Sequence, residues 1–336
     1  MKSNRFGPVL DFVRTQGVKV DCCSPREMER AMSHGFGAHE LSLTAGMLSE
    51  RDLKAVLASR VRPNFDTFSV LRRWAATLDA AGVTGVGREI GLRINPEVAI
   101  GWGTEPKLAY GNSKFGFDQD RVLEAAAYAT SLGLTVVEVH MHVGWGLQRS
   151  AAATLRSVFE RLAGFAAAIP TVSVVNVGGG LCWKHRAEDD PLPLSLWAEI
   201  VREALHELPA HVGIACEPGT FITAASGVLV VEVNTVEQRK SGTWLGVDAG
   251  HSVNVFAAHY GIPMAFIKVA DPLAEATQVV NVGGNINEAN DVFARDRAMP
   301  VVGEGELLAL WPAGGYGSSM SSDHCLRGQP GEMLVG

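Results

Sequence analysis

Short β-branched runs alternate with stretches of helical period through the first two-thirds of the chain. Strand-like runs fall at 18–22, 40–44, 61–65, 90–94, 135–143, 172–177 and 211–216. Helix-like stretches fall between them at 25–34, 50–58, 67–81, 118–132, 151–168 and 194–207. Acidic residues early in 25–34 and a serine at position 49 suit helix starts. Residues 8–15 also read as a helix, with no strand ahead of them. Seven largely apolar strands, each joined to the next by a helix, predict a parallel sheet covered by helices. Seven is one short of a (β/α)8 barrel, so the chain is expected to begin just past the first barrel strand.

The texture changes after Gly219. Runs at 228–233, 243–247, 278–282 and 307–311 are β-rich, with Gly, Asn and Asp between them and little helical period. This predicts a barrel domain over 1–219 and a mostly antiparallel β domain over 220–336.

Composition narrows the partners. The formal charge of -7 comes from 29 basic and 36 acidic residues with no basic block, which argues against nucleic acid. Five cysteines, odd in number and without a CxxC pair, suit a reducing compartment, and no residue set suggests a metal. The uncharged stretch 162–183 holds a proline and three glycines, which fits a helix end followed by a buried strand better than a membrane span. With no apolar signal core at the start, the expected location is the cytoplasm.

Candidate chemistry clusters at strand ends. Val174-Val175-Asn176-Val177 runs into Gly178-Gly179-Gly180, where bare backbone N–H groups can converge on a phosphate. Taken alone, three glycines end a strand for steric reasons just as often. His140 and His142 point to the same side of their strand, and Glu217-Pro218-Gly219 closes the seventh.

Ten motifs in order resemble the fold-type III pyridoxal-phosphate (PLP) decarboxylases that act on diaminopimelate, ornithine and arginine, a fold shared with alanine racemase. They are Lys2-Ser3-Asn4, Val20-Asp21-Cys22, Leu92-Arg93-Ile94-Asn95-Pro96, Ser113-Lys114-Phe115-Gly116, His140 to Gly144, Asn176 to Gly180, Glu217-Pro218-Gly219, Val247-Asp248-Ala249-Gly250, Asn287-Glu288-Ala289-Asn290-Asp291 and Ala313-Gly314-Gly315-Tyr316-Gly317. The resemblance spans essentially the whole chain, with the diaminopimelate branch as the nearest well-known one. It implies that Lys2 holds PLP as a Schiff base, that Glu217 keeps the pyridine nitrogen protonated, and that His142 stacks on the ring. It also implies cofactor contacts from Arg93, the glycines 178–180 and Tyr316. Substrate contacts are expected from Glu288, Asp291 and Tyr316, with Glu288 crossing a homodimer interface. Without the resemblance, Lys2 would read as a solvated terminal lysine, and Glu288 and Asp291 as loop carboxylates.

Departures from the family pattern bear on the substrate. Asn287 stands where the family has its proton-donating cysteine, which leaves Lys2, His140 or water to protonate the product. Thr220 replaces an arginine, and 251–256 has none where the diaminopimelate enzymes carry one. Trp145 and His185 are larger than their family counterparts. Arginine forks match carboxylates, so two competing expectations stand beside diaminopimelate. One is a specialised substrate such as a D-amino acid or a siderophore or antibiotic intermediate. The other is a truncated, non-catalytic homologue.

Overall fold

The computed structural model describes residues 1–104 and 113–335. They form two compact units, each taken by itself below. The first comprises Met1–Lys2, Gly7–Trp183 and Asp190–Gly219; the second comprises Ser3–Phe6, Lys184–Asp189 and Thr220–Gly336.

The first unit is built on seven parallel strands paired in chain order: β1 (Val20–Cys22), β2 (Leu41–Thr44), β3 (Arg62–Phe65), β4 (Glu89–Ile94), β5 (Thr135–Met141), β6 (Val174–Asn176) and β7 (Gly213–Ala215). The sheet is curled like part of a barrel. Helices follow the strands because the local signals start them. Ser24 accepts from the Glu27 amide, Thr67 accepts from the Val70 amide, and Ser49 forms a capping box with Asp52.

Alternation divides each strand between two faces. Ile90, Leu92 and Ile94 of β4, with Val139 and Met141 of β5, join the buried faces of the helices in one apolar core. That core includes Phe65 stacked edge-on to Trp74 at 5.7 Å. The in-between residues are polar: Asp21, Ser42 and Thr44, Arg62 and Asn64, Arg93, Glu138 and His140, Asn176. The expectation of largely apolar strands therefore holds for only one face of this sheet.

The second unit holds a six-stranded sheet in the order β10-β13-β8-β9-β11-β12. Its strands are β8 (Leu229–Arg239), β9 (Gly242–Val247), β10 (Ala265–Lys268), β11 (Gln278–Gly283), β12 (Val292–Met299) and β13 (Leu307–Trp311). Among the described residues four pairings are antiparallel, and β9 with β11 is parallel. Sequence reading missed β10, β12 and the helix Val255–Tyr260. β12 carries Arg295, Asp296 and Arg297 on an exposed edge, so its apolar alternation is broken.

Candidate active site

The polar face of the first sheet converges on Glu217, two residues past β7. His140 Nε2 lies 3.1 Å from Glu217 Oε1. Asn176 Nδ2 donates to the same oxygen at 2.9 Å. Burial alone would raise the Glu217 carboxyl. The His140 imidazole, by charge and hydrogen bond, and the Asn176 amide outweigh burial and hold it far below the ordinary carboxylate range. Asp21, from β1, responds in the opposite direction. Burial, then the charge of Glu217, push it up to about 7 against the hydroxyls of Ser42 and Thr44, which donate at 2.7 and 2.8 Å.

His142 follows β5, and burial of its ring and the nearby charges of Lys2 and Arg93 keep its pKa well below the usual imidazole value. It is therefore neutral, and its Nδ1 accepts the Gly179 amide at 3.0 Å. Arg93, buried on β4, sits beside His140 in register, with its guanidinium 4.2 Å from the Phe115 ring centre.

The glycine loop is tight because nothing larger fits. Gly178 and Gly180 have φ of +67° and +104°. A Cβ on Gly178 would lie 2.8 Å from His142 Cα, and one on Gly179 would overlap the Glu217 carbonyl. Gly178 N–H donates to Asn176 Oδ1 at 3.0 Å and Gly179 N–H to His142 Nδ1 at 3.0 Å, which fixes the loop.

The remaining expected residues lie in the second unit. Tyr316 has φ +60°, its amide donates to the Ser3 carbonyl at 2.7 Å, and its ring stacks on Phe256 at 5.1 Å. Glu288 is half exposed, with Oε1 3.2 Å from His324 Nε2. Asp291, expected to touch substrate, is only 4% exposed. Its oxygens accept the His251 and Ile286 amides at 2.7 and 3.0 Å. Through these two amides it anchors a loop. Glu138, Asn64 and Arg62 were missed as site residues. The available signal was polar residues two apart, as in Arg62/Asn64 and Glu138/His140, marking one strand face.

Comparison with known proteins shows the family of the chain. Residues 1–224 match the pyridoxal-binding domain of the pyridoxal-dependent decarboxylases. The chain belongs to this family. It is a PLP-dependent carboxy-lyase. A diaminopimelate decarboxylase of Methanothermobacter thermautotrophicus is 31% identical, over 99% of this chain and 78% of the relative. One from Aquifex aeolicus is 32% identical over 100% and 79%. The crystal structure of the Helicobacter pylori diaminopimelate decarboxylase with L-lysine superposes with a TM-score of 0.87 at 25% identity, covering 97% of this chain and 81% of that one.

The residues present fit PLP. A loop that admits no side chain, an ionised buried carboxylate, a neutral imidazole and the Lys2 amine would suit its phosphate, ring nitrogen, ring face and aldehyde. Among the described residues no three His, Cys, Asp or Glu side chains are grouped to hold a metal. No helix among them is long and apolar enough to cross a membrane.

Proposed function

We propose that this decarboxylase acts on diaminopimelate, releasing CO2 and lysine in the cytoplasm as a homodimer with shared sites. In this reading, residues 1–219 carry the cofactor and 220–336 supply Tyr316 and Glu288. The names of the curated relatives, at 31–32% identity over nearly the whole chain, support the substrate.

The observation that carries the chemistry is Glu217, held ionised by His140 and Asn176 on the sheet's polar face. PLP supplies the electron sink for the carbanion left when CO2 departs. Glu217, ionised, would accept a hydrogen bond from the pyridine nitrogen and so keep that nitrogen protonated, and an arginine in its place would not, which separates this reading from a racemase. His142, neutral, can lie against the ring without repelling the positive charge held there. Lys2 supplies the amine that binds the aldehyde, with Arg93 and the glycines 178–180 as further cofactor contacts. The exposed Glu288 carboxylate suits a distal ammonium, reached from the partner subunit.

A specialised substrate is the second reading, supported by Thr220 and by the absence of arginine across 251–256. The test is CO2 release from diaminopimelate measured beside lysine, ornithine and arginine. The first reading expects release from diaminopimelate, with KM rising about 10–100-fold in Glu288→Gln from loss of a charged hydrogen bond. Faster release from another amino acid, or none from diaminopimelate, would reject it.

A further inference from the structure

Glu138 sits in the middle of β5, is 1% exposed and is absent from the site expected from sequence. Its Oε1 accepts from Asn64 Nδ2 at 3.1 Å and from Asn176 Nδ2 at 3.2 Å, while its other oxygen pairs with Arg62. Each asparagine passes the connection on. Asn64 Nδ2 also donates to Thr44 Oγ1 at 3.0 Å, and Thr44 donates to Asp21. Asn176 Nδ2 also donates to Glu217, and its Oδ1 accepts the Gly178 amide. One carboxylate thus orients two amides whose far ends are Asp21 and the Glu217–glycine-loop pair.

The backbone makes room for this. Asn64, Gly91 and Glu138 lie in one row across β3, β4 and β5. A Cβ on Gly91 would overlap Asn64 Oδ1 and approach Glu138 Cβ to 3.1 Å. Only a glycine on the intervening strand lets Asn64 reach Glu138. Glu138 is buried and Arg62 only partly so, and an ion pair reaching into a core is a poor way to stabilise it compared with apolar residues of similar size. Orientation is what it supplies here, because a flipped Asn176 would turn its carbonyl oxygen against two carboxylates.

We propose that Glu138, with Arg62, is a positioning residue that acts through Asn176 to fix the Glu217 carboxylate and the glycine loop. Its effect on turnover rests on the role given to Glu217 above. Its effect on the loop does not, so the two can fail separately.

The test compares wild type, Glu138→Gln and the double variant Glu138→Leu/Arg62→Met, which removes the pair while keeping apolar volume. Amide hydrogen exchange is read in the chain without added cofactor. The Gly178 amide should exchange about tenfold faster in both variants while Leu92 and Val139 keep their protection, as local rather than global opening requires. With PLP, kcat should fall about tenfold with a smaller change in KM, since an interaction used in the transition state is weakened. Unchanged Gly178 exchange in the folded double variant would overturn the proposal. So would a uniform loss of protection, or failure of both variants to fold, because the pair would then serve the fold alone. Faster Gly178 exchange with unchanged kcat would keep the loop assignment and reject the catalytic role of Glu217 instead.

Discussion

The two faces of the seven-stranded sheet come from the same residues in alternation, yet they are built on opposite principles. On the helix-covered face, β4 and β5 present Ile90, Leu92, Ile94, Val139 and Met141, all essentially buried in one apolar core. On the other, the same strands present Arg93, Glu138 and His140, linked by hydrogen bonds and charge to Asp21, Asn176 and Glu217. Barrel interiors are usually filled with layers of branched apolar side chains. Here layers of polar groups replace them, so that face tolerates few changes of shape or charge, while the apolar face carries the stability.

If the division is right, substitutions on the two faces should fail differently. On the apolar face, Phe65→Ala should cost about 3–5 kcal/mol in denaturant unfolding, from lost transfer and a cavity beside Trp74. Activity per folded molecule should stay nearly unchanged. On the polar face, Glu217→Gln should lower kcat by about 10²–10³-fold, the usual loss when one preorganised electrostatic contact is removed. Its unfolding midpoint should move far less than that of Phe65→Ala. A Glu217→Gln protein that unfolds as easily as Phe65→Ala would erase the distinction.

Gly91→Ala sharpens the same comparison, because Gly91 belongs to the apolar-sided β4 but serves the polar face. Its added methyl should cost about 1–3 kcal/mol by overpacking against Asn64, and should lower activity as well. A change in neither would mean that Asn64 moves aside freely.

The smallest effect concerns Asp21. Its carboxyl is raised in the folded chain to about 7, chiefly by burial and then by the Glu217 charge. Between the ordinary Asp value and about 7 the folded state holds a proton that the unfolded chain has released. Asp21 therefore makes stability fall as pH rises through that window. In Glu217→Gln the titration of Asp21, followed by carboxyl carbon NMR, should move down. No movement would detach Asp21 from the cluster.

The sequence was most legible where one physical signal dominated. Ser49 marked a helix start through its cap, and the glycine triplet marked a strand end that admits no side chain. Lys2, His142 and Glu217 were visible only through the order of motifs, since each has a commoner structural reading. The Glu138 hub was not legible because its partners sit on separate strands, and register, not sequence spacing, brings Asn64 within reach. Asp291 was named only through its motif, and its hold on the His251 and Ile286 amides was not legible because no spacing in the sequence announces those partners. Edge strand β12 was hidden because its exposed positions are charged.

The central claim is that the polar face is a PLP site served by Lys2. It is tested most directly by adding PLP to the purified chain, recording the visible absorption spectrum, reducing with borohydride and mapping the labelled peptide. A yellow protein whose label sits on Lys2, and is lost in Lys2→Ala, is the expected result. A colourless protein, or label scattered over surface lysines with none on Lys2, would contradict it.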